Sequence, residues 1–157
     1  MKLFGRHAAA AIGVAALLAG CASKPKPVEP TRVDAVIQVS AQANPSTSHR
    51  PSPVLVRIYE LKATGAFDSA DFISLYQREQ ATLAADLVAK DEFMLTPGES
   101  KPFVKTLAPE TRFLGVTAAF RDVEHAKWRS TFAVAPAQTH RVVIRVGELS
   151  IEALANR

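Results

Sequence analysis

The sequence predicts a mainly β domain: a two-sheet β-sandwich with a short helical insertion after the second strand. Three observations lead there. Apolar and polar residues alternate from Val33 to Ser40, and a β-branched, aromatic run follows at Val54–Leu61. Six further short apolar runs, at 92–96, 103–107, 113–120, 128–134, 141–146 and 149–154, are separated by turn residues. Between the second and third runs, helical spacing replaces the alternation. Many short strands with turn signals between them are the pattern of a sandwich.

The chain opens on a different kind of segment. Lys2 and Arg6 supply positive charge, and Ala8–Ala19 then runs without a charge, almost wholly Ala, Ile, Val and Leu. That is the form of a secretory signal peptide, and about a dozen apolar residues fall short of the roughly 20 that cross a bilayer as a helix. The one cysteine of the chain, Cys21, follows it directly in ALLAGCAS, so residues 1–20 are expected to be cleaved and Cys21 to carry lipid. An ordinary signal peptide cleaved near Ala22, or an uncleaved tail with an incidental cysteine, are the alternatives. A lone cysteine also argues against a disulfide framework. Residues 21–32 contain Pro25, Pro27 and Pro30 and read as an extended tether of about 3.1 Å per residue.

Residues 33–157 form one domain of ordinary size. In it, Val33, Ala35, Ile37 and Val39 alternate with Asp34, Val36, Gln38 and Ser40, the period of a strand buried on one face. In VLVRIYEL, Val54, Val56 and Ile58 share one side, and Leu55, Arg57, Tyr59 and Leu61 the other. The intervening QANPSTSHRPSP, Gln42 to Pro53, is polar and proline-rich, hence a loop.

After Gly65, Asp68 is positioned to cap a helix over Ser69–Gln77, with Asp71 in its first turn and Phe67 and Phe72 as a hydrophobic staple. Leu83, Leu87 and Val88 recur at helical spacing and predict a second short helix over Thr82–Val88. In TPGE, Pro97 and Gly98 suit the central positions of a type II turn. In Phe113–Phe120, Leu114, Val116, Ala118 and Phe120 form one face, while Gly115, Thr117 and Ala119 keep the other small, as in a close-packed central strand.

The formal net charge of +4 includes Lys2 and Arg6 and is scattered, which gives no basis for nucleic-acid binding. Of the four histidines, His49, His125 and His140 stand singly, without a second ligand at metal-site spacing. No G-x-S-x-G elbow, phosphate loop or cysteine nucleophile is present, and the acidic clusters at Asp86, Asp91 and Glu92 and at Asp122 and Glu124 read as solvated turns. The expectation is a non-enzyme without a cofactor or metal. Trp128 beside Lys127 and Arg129 either stacks on a cation or caps the core.

Leu18, Ala19, Gly20 and Cys21 resemble the bacterial lipobox, in which the cysteine is lipidated and the leader removed. Ala22 in place of an inner-membrane retention aspartate implies, by that resemblance, the periplasmic face of the outer membrane. The order RPSPVLVRIYEL, FDSADFISLY, LAADLVAKDEFMLTPGES, FLGVTAAFRDVEHAKWRS resembles the TssJ family, the outer-membrane lipoproteins of the type VI secretion system. The resemblance implies a transthyretin-like sandwich that binds the periplasmic carboxy-terminal region of TssM, with TssL as an indirect partner and the outer membrane reached through the lipid. The family contacts its partner through the first inter-strand loop. Here that is Asn44, Pro45, Ser46, Thr47, Ser48, His49, Arg50 and Pro51, of which Asn44, Pro45, Arg50 and Pro51 match the family pattern. Two other functions compete: a periplasmic lipoprotein binding a small ligand or peptide in a cavity between the sheets, near Trp128 and the phenylalanines, and an envelope hydrolase using His125 with nearby carboxylates.

Overall fold

Eight strands pair into two four-stranded sheets in a computed structural model of the chain, which describes residues 29–156. The expected leader 1–20, Cys21 and tether residues 22–28 lie outside the described residues. The strands are β1 (Arg32–Val39), β2 (Val54–Leu61), β3 (Leu87–Leu95), β4 (Ser100–Thr106), β5 (Phe113–Ala119), β6 (Arg129–Ala133), β7 (Thr139–Val146) and β8 (Ile151–Ala155). One sheet has the order β4-β1-β7-β8 and the other β3-β2-β5-β6. β1 and β7 pair in parallel, from Arg32 opposite Thr139 to Val39 opposite Val146, and the other pairs are antiparallel.

The alternation in the sequence sets which face is buried. Val33, Ala35, Ile37 and Val39 of β1 meet Val54, Val56 and Ile58 of β2, with Leu114, Val116 and Ala118 of β5 and Val142, Ile144 and Val146 of β7, in one core between the sheets. Each fully buried Val, Leu or Ile side chain there contributes on the order of 1.5–3 kcal/mol.

The outer face of the second sheet is covered by α1 (Gly65–Ser69) and α2 (Phe72–Leu83). Tyr59 and Leu61, on the face of β2 turned away from the sandwich, pack with Phe67, Leu75 and Leu83 in a second core. The helices come close because Gly115 lacks a side chain: a Cβ there would sit 2.9 Å from Leu61 Cδ1 and from the Phe67 ring. Arg57 adds a polar clamp. Its Nε donates to Glu92 Oε2 at 2.6 Å, and its Nη1 donates to Glu79 Oε2 at 2.9 Å and to the Tyr76 carbonyl at 2.8 Å. Lys90 also pairs with Glu79.

The helical segment departs from expectation in its boundaries. Asp68 lies inside α1, and the capping residue is Asp71, whose carboxylate accepts from Ser74 N at 2.9 Å and Ser74 Oγ at 2.7 Å. Phe67 and Phe72 therefore belong to different helices and form no staple. Arg129 Nη1 donates to the Phe67 carbonyl at 2.9 Å and the Ala70 carbonyl at 2.5 Å, satisfying the end of α1 from a distant strand. The second helix expected over Thr82–Val88 does not form. α2 ends at Leu83, a 3-10 turn spans Ala84–Asp86, and Leu87 and Val88 open β3. Ala84 sits at φ +45°, which breaks the helix, and Leu87 gains a strand partner in Leu61.

β4 begins at Ser100, before the expected Phe103, and accommodates Pro102 because it is an edge strand. The TPGE turn forms as expected, with Gly98 at φ +81° and Glu99 N donating to the Thr96 carbonyl at 3.0 Å. Gly98 N donates to the Ser40 carbonyl at 3.2 Å, so this turn braces the exit of β1.

Candidate functional site

The connection from β1 to β2 is held rigid at its base and exposed at its tip. Ser52 N donates to the Ala43 carbonyl at 3.1 Å, closing the base. Above it, Ser46 N donates to the Arg50 carbonyl and His49 N to the Ser46 carbonyl, both at 2.8 Å. Arg50 N donates to Ser46 Oγ at 3.2 Å, and the Ser46 and Ser48 hydroxyls lie 3.0 Å apart. His49 takes φ +56°, a conformation that histidine tolerates better than most residues. Thr47, Ser48, His49, Arg50 and Pro51 are exposed, and Pro45 and Ser46 are half-buried.

Asn44 differs from the rest of its segment. It is buried, at 3% exposure, and in the left-handed region at φ +52°. Its Nδ2 donates to the Pro53 carbonyl at 2.6 Å, its Oδ1 accepts from Arg121 N at 2.7 Å, and its own N donates to the Glu148 carbonyl at 2.9 Å. One side chain and one amide thus join three connections: β1–β2, β5–β6 and β7–β8. Asn44 positions the surface from beneath and is not itself open to a partner.

The three connections enclose a groove of about 520 Å³. Pro45, Ser46, Thr47 and His49 form one wall, Arg121 and Asp122 another, and Glu148 and Leu149 the third. Ser48, Arg50 and Pro51 project from the same loop without lining it. The structure therefore brings four of the expected residues into one concavity, together with groups from two other loops that local sequence patterns did not single out as partner-binding. Asp122 was legible only as one of two carboxylates in a polar turn.

His125 extends from the β5–β6 connection, three-quarters exposed, with Nδ1 2.7 Å from Asp122 Oδ1. That hydrogen bond and the charge of Asp122 push the His125 imidazole above its ordinary value. Among the described residues, no cluster of three or more His, Cys, Asp or Glu side chains could hold a metal ion.

The aromatic cleft considered for a ligand is largely filled. Trp128 takes the Phe72 edge at 5.3 Å between centroids, and the Arg129 guanidinium lies 4.6 Å from the centre of its ring, so Trp128 both packs and stacks on a cation. The space beside it, bounded by Arg57, Tyr59, Tyr76 and Thr117, is about 10 Å³ and lies under α2, not between the sheets. That is room for roughly one water.

Comparisons with known proteins extend this picture. A family model described as "Type VI secretion lipoprotein, VasD, EvfM, TssJ" matches residues 31–149. The chain is similar to the T6SS lipoprotein TssJ1 from Pseudomonas aeruginosa, with 39% identity and a TM-score of 0.79 over 82% of this chain and 98% of that one. A chain in a structure described as a type VI membrane complex is 27% identical, with a TM-score of 0.69 over 82% of this chain and 100% of that one. A chain in a structure described as the T6SS protein TssM C-terminal domain from EAEC is 28% identical, with a TM-score of 0.66 over 80% and 98%. No curated protein matches the chain.

Proposed function

The chain belongs to the type VI secretion lipoprotein family that includes TssJ, and from that premise we propose that it is a non-catalytic structural lipoprotein joining the secretion system's membrane complex to the outer membrane. In this reading residues 1–20 are a cleaved leader, Cys21 carries the lipid, and the segment from there to the start of β1 is the tether. The sandwich from residue 33 onward faces the periplasm and binds the periplasmic carboxy-terminal region of TssM. TssL is reached only through TssM.

The observation that carries this reading is the polarity of β1. The tether enters at Arg32, and the β1–β2 loop leaves beyond Val39, at the other end of the strand. At about 3.3 Å per residue, β1 separates the anchored end from the exposed loop by roughly 26 Å. A rigid sandwich with a membrane attachment at one end and a preorganised, proline-restricted loop at the other suits a link between a bilayer and a protein. Tethering also raises the effective concentration of the loop near a membrane-bound partner. The likeness to a chain in a structure described by the TssM C-terminal domain supports the choice of partner.

The test is calorimetry of the mature, detergent-solubilised protein with the periplasmic carboxy-terminal region of its cognate TssM, beside a variant with residues 45–51 replaced by Gly and Ser and Asn44 retained. Binding by the parent and none by the still-folded variant is the expected result. Absence of binding by the parent overturns the reading.

A further inference from the structure

Resting on the proposed TssM-binding role, we infer that the partner is recognised by the whole three-loop groove, which fits an extended polypeptide segment bearing one acidic and one basic side chain. The β1–β2 loop is then one wall of the recognition surface. Arg121 on the β5–β6 connection and Glu148 on the β7–β8 connection supply its two charged anchors.

Three observations converge on this. First, the walls are one mechanical unit: Asn44, buried beneath them, bonds to the backbone of both Arg121 and Glu148 as well as to Pro53. A partner that touches the β1–β2 loop meets the other two connections in a fixed relation to it, which lowers the ordering cost of docking.

Second, the acidic and basic side chains that line the groove divide into used and unused. Asp122 is engaged by His125 at 2.7 Å. Among the described residues, Arg121 and Glu148 form no ion pair, and both are exposed on the groove walls. Opposite signs on two walls select a segment by orientation as well as by charge, since reversing its direction brings like charges together.

Third, the rest of the lining suits an extended backbone. The Ser46 and Thr47 hydroxyls and the His49 ring offer hydrogen-bonding groups, while Pro45 and Leu149 supply apolar contact.

The experiment compares the mature protein with Arg121→Glu, Glu148→Lys and the 45–51 Gly/Ser replacement, each titrated into the cognate TssM periplasmic region at low and high salt. Both charge substitutions leave the Asn44 bonds intact, because those bonds reach only backbone atoms of Arg121 and Glu148. Unchanged melting temperatures check this. The expected result is a loss of affinity of about tenfold or more for each charge variant, with a weaker salt dependence than the parent shows. If either charge variant loses less while the loop replacement abolishes binding, recognition belongs to the loop alone and the groove proposal is overturned. If all three variants bind like the parent, both the groove and the loop are excluded as the interface. If the parent itself does not bind, the TssM reading falls, and the groove proposal with it.

Discussion

Asn44 and Arg121 lie 77 residues apart in sequence and are joined by a 2.7 Å hydrogen bond from the Arg121 amide to the Asn44 side-chain oxygen. With the 2.6 Å bond from Asn44 Nδ2 to the Pro53 carbonyl, it makes a buried side chain the fastening of the loop end of the sandwich. Asn44→Ala leaves that amide and that carbonyl without their partner and places alanine at φ +52°. The expected loss is about 2–5 kcal/mol, from unsatisfied groups at roughly 1–3 kcal/mol and left-handed strain at roughly 1–2 kcal/mol. Urea unfolding measures it. Asn44→Gly relieves the strain alone and is expected to fall between the two.

Gly115 predicts a steric effect instead of a polar one. An added methyl would meet the Phe67 ring and Leu61 Cδ1 at 2.9 Å, and both neighbours are fully buried. Gly115→Ala is expected to cost about 1–3 kcal/mol by overpacking. The companion Phe67→Leu should absorb part of that, so the double variant is expected to lose less than the sum of the singles. Additive losses would show that the strain lies elsewhere.

Glu60 ties stability to pH. Its side chain is buried and receives Lys105 Nζ at 2.8 Å, Ala108 N at 2.9 Å and Thr111 Oγ1 at 2.7 Å. Burial pushes its carboxyl up, and the Lys105, Ala108 and Thr111 contacts outweigh burial and hold it below the ordinary value. Because the folded value lies below the unfolded one of about 4.3, its contribution is fully present above that pH and is lost as pH falls through the folded value. Unfolding free energies of the parent and Glu60→Gln, followed from neutral to acid pH, should converge on the acid side. A difference that stays constant with pH would refute this.

His125 provides a local probe of the groove rim. Its ring is held above the ordinary value by Asp122, so its NMR titration midpoint is expected above about 6.5 and should fall back in Asp122→Asn. Both side chains are exposed to solvent, so little change in melting temperature is expected.

Cys21→Ser tests the anchor apart from the fold. Cell fractionation is expected to find the variant off the outer membrane, with the purified domain melting as before. A variant that still sediments with the outer membrane would count against lipid attachment at this residue.

The strands were legible because their alternation is local: the faces of β1, β2 and β5 can be read from neighbouring residues, and even the space required at Gly115 was visible as a run of small residues. The helical segment was harder, because Asp68 and Asp71 are both good caps and only the packing of Phe67 against β2 and β5 selects Asp71. Leu83, Leu87 and Val88 satisfy a helical period by coincidence, and the β-sheet partner that decides for a strand lies at Leu61. For the candidate site, composition showed only that the β1–β2 connection is a loop, and its choice as a contact surface came from the family resemblance. The remaining walls were not legible, since Arg121 and Glu148 approach it only through Asn44 and the folded chain.

The parallel pairing of β1 with β7 also dictates an order of events. Every residue of β1 in that ladder waits for a partner between Thr139 and Val146, with β2 to β6 and both helices in between. Contacts of such long sequence separation form slowly, because a large loop must close before they are rewarded. A chain threaded through a membrane amino end first cannot finish this sheet until residues 139–146 have followed. The edge of its first strand turned away from β4 stays unpaired over that interval, and truncation before Thr139 would leave that edge unpaired for good.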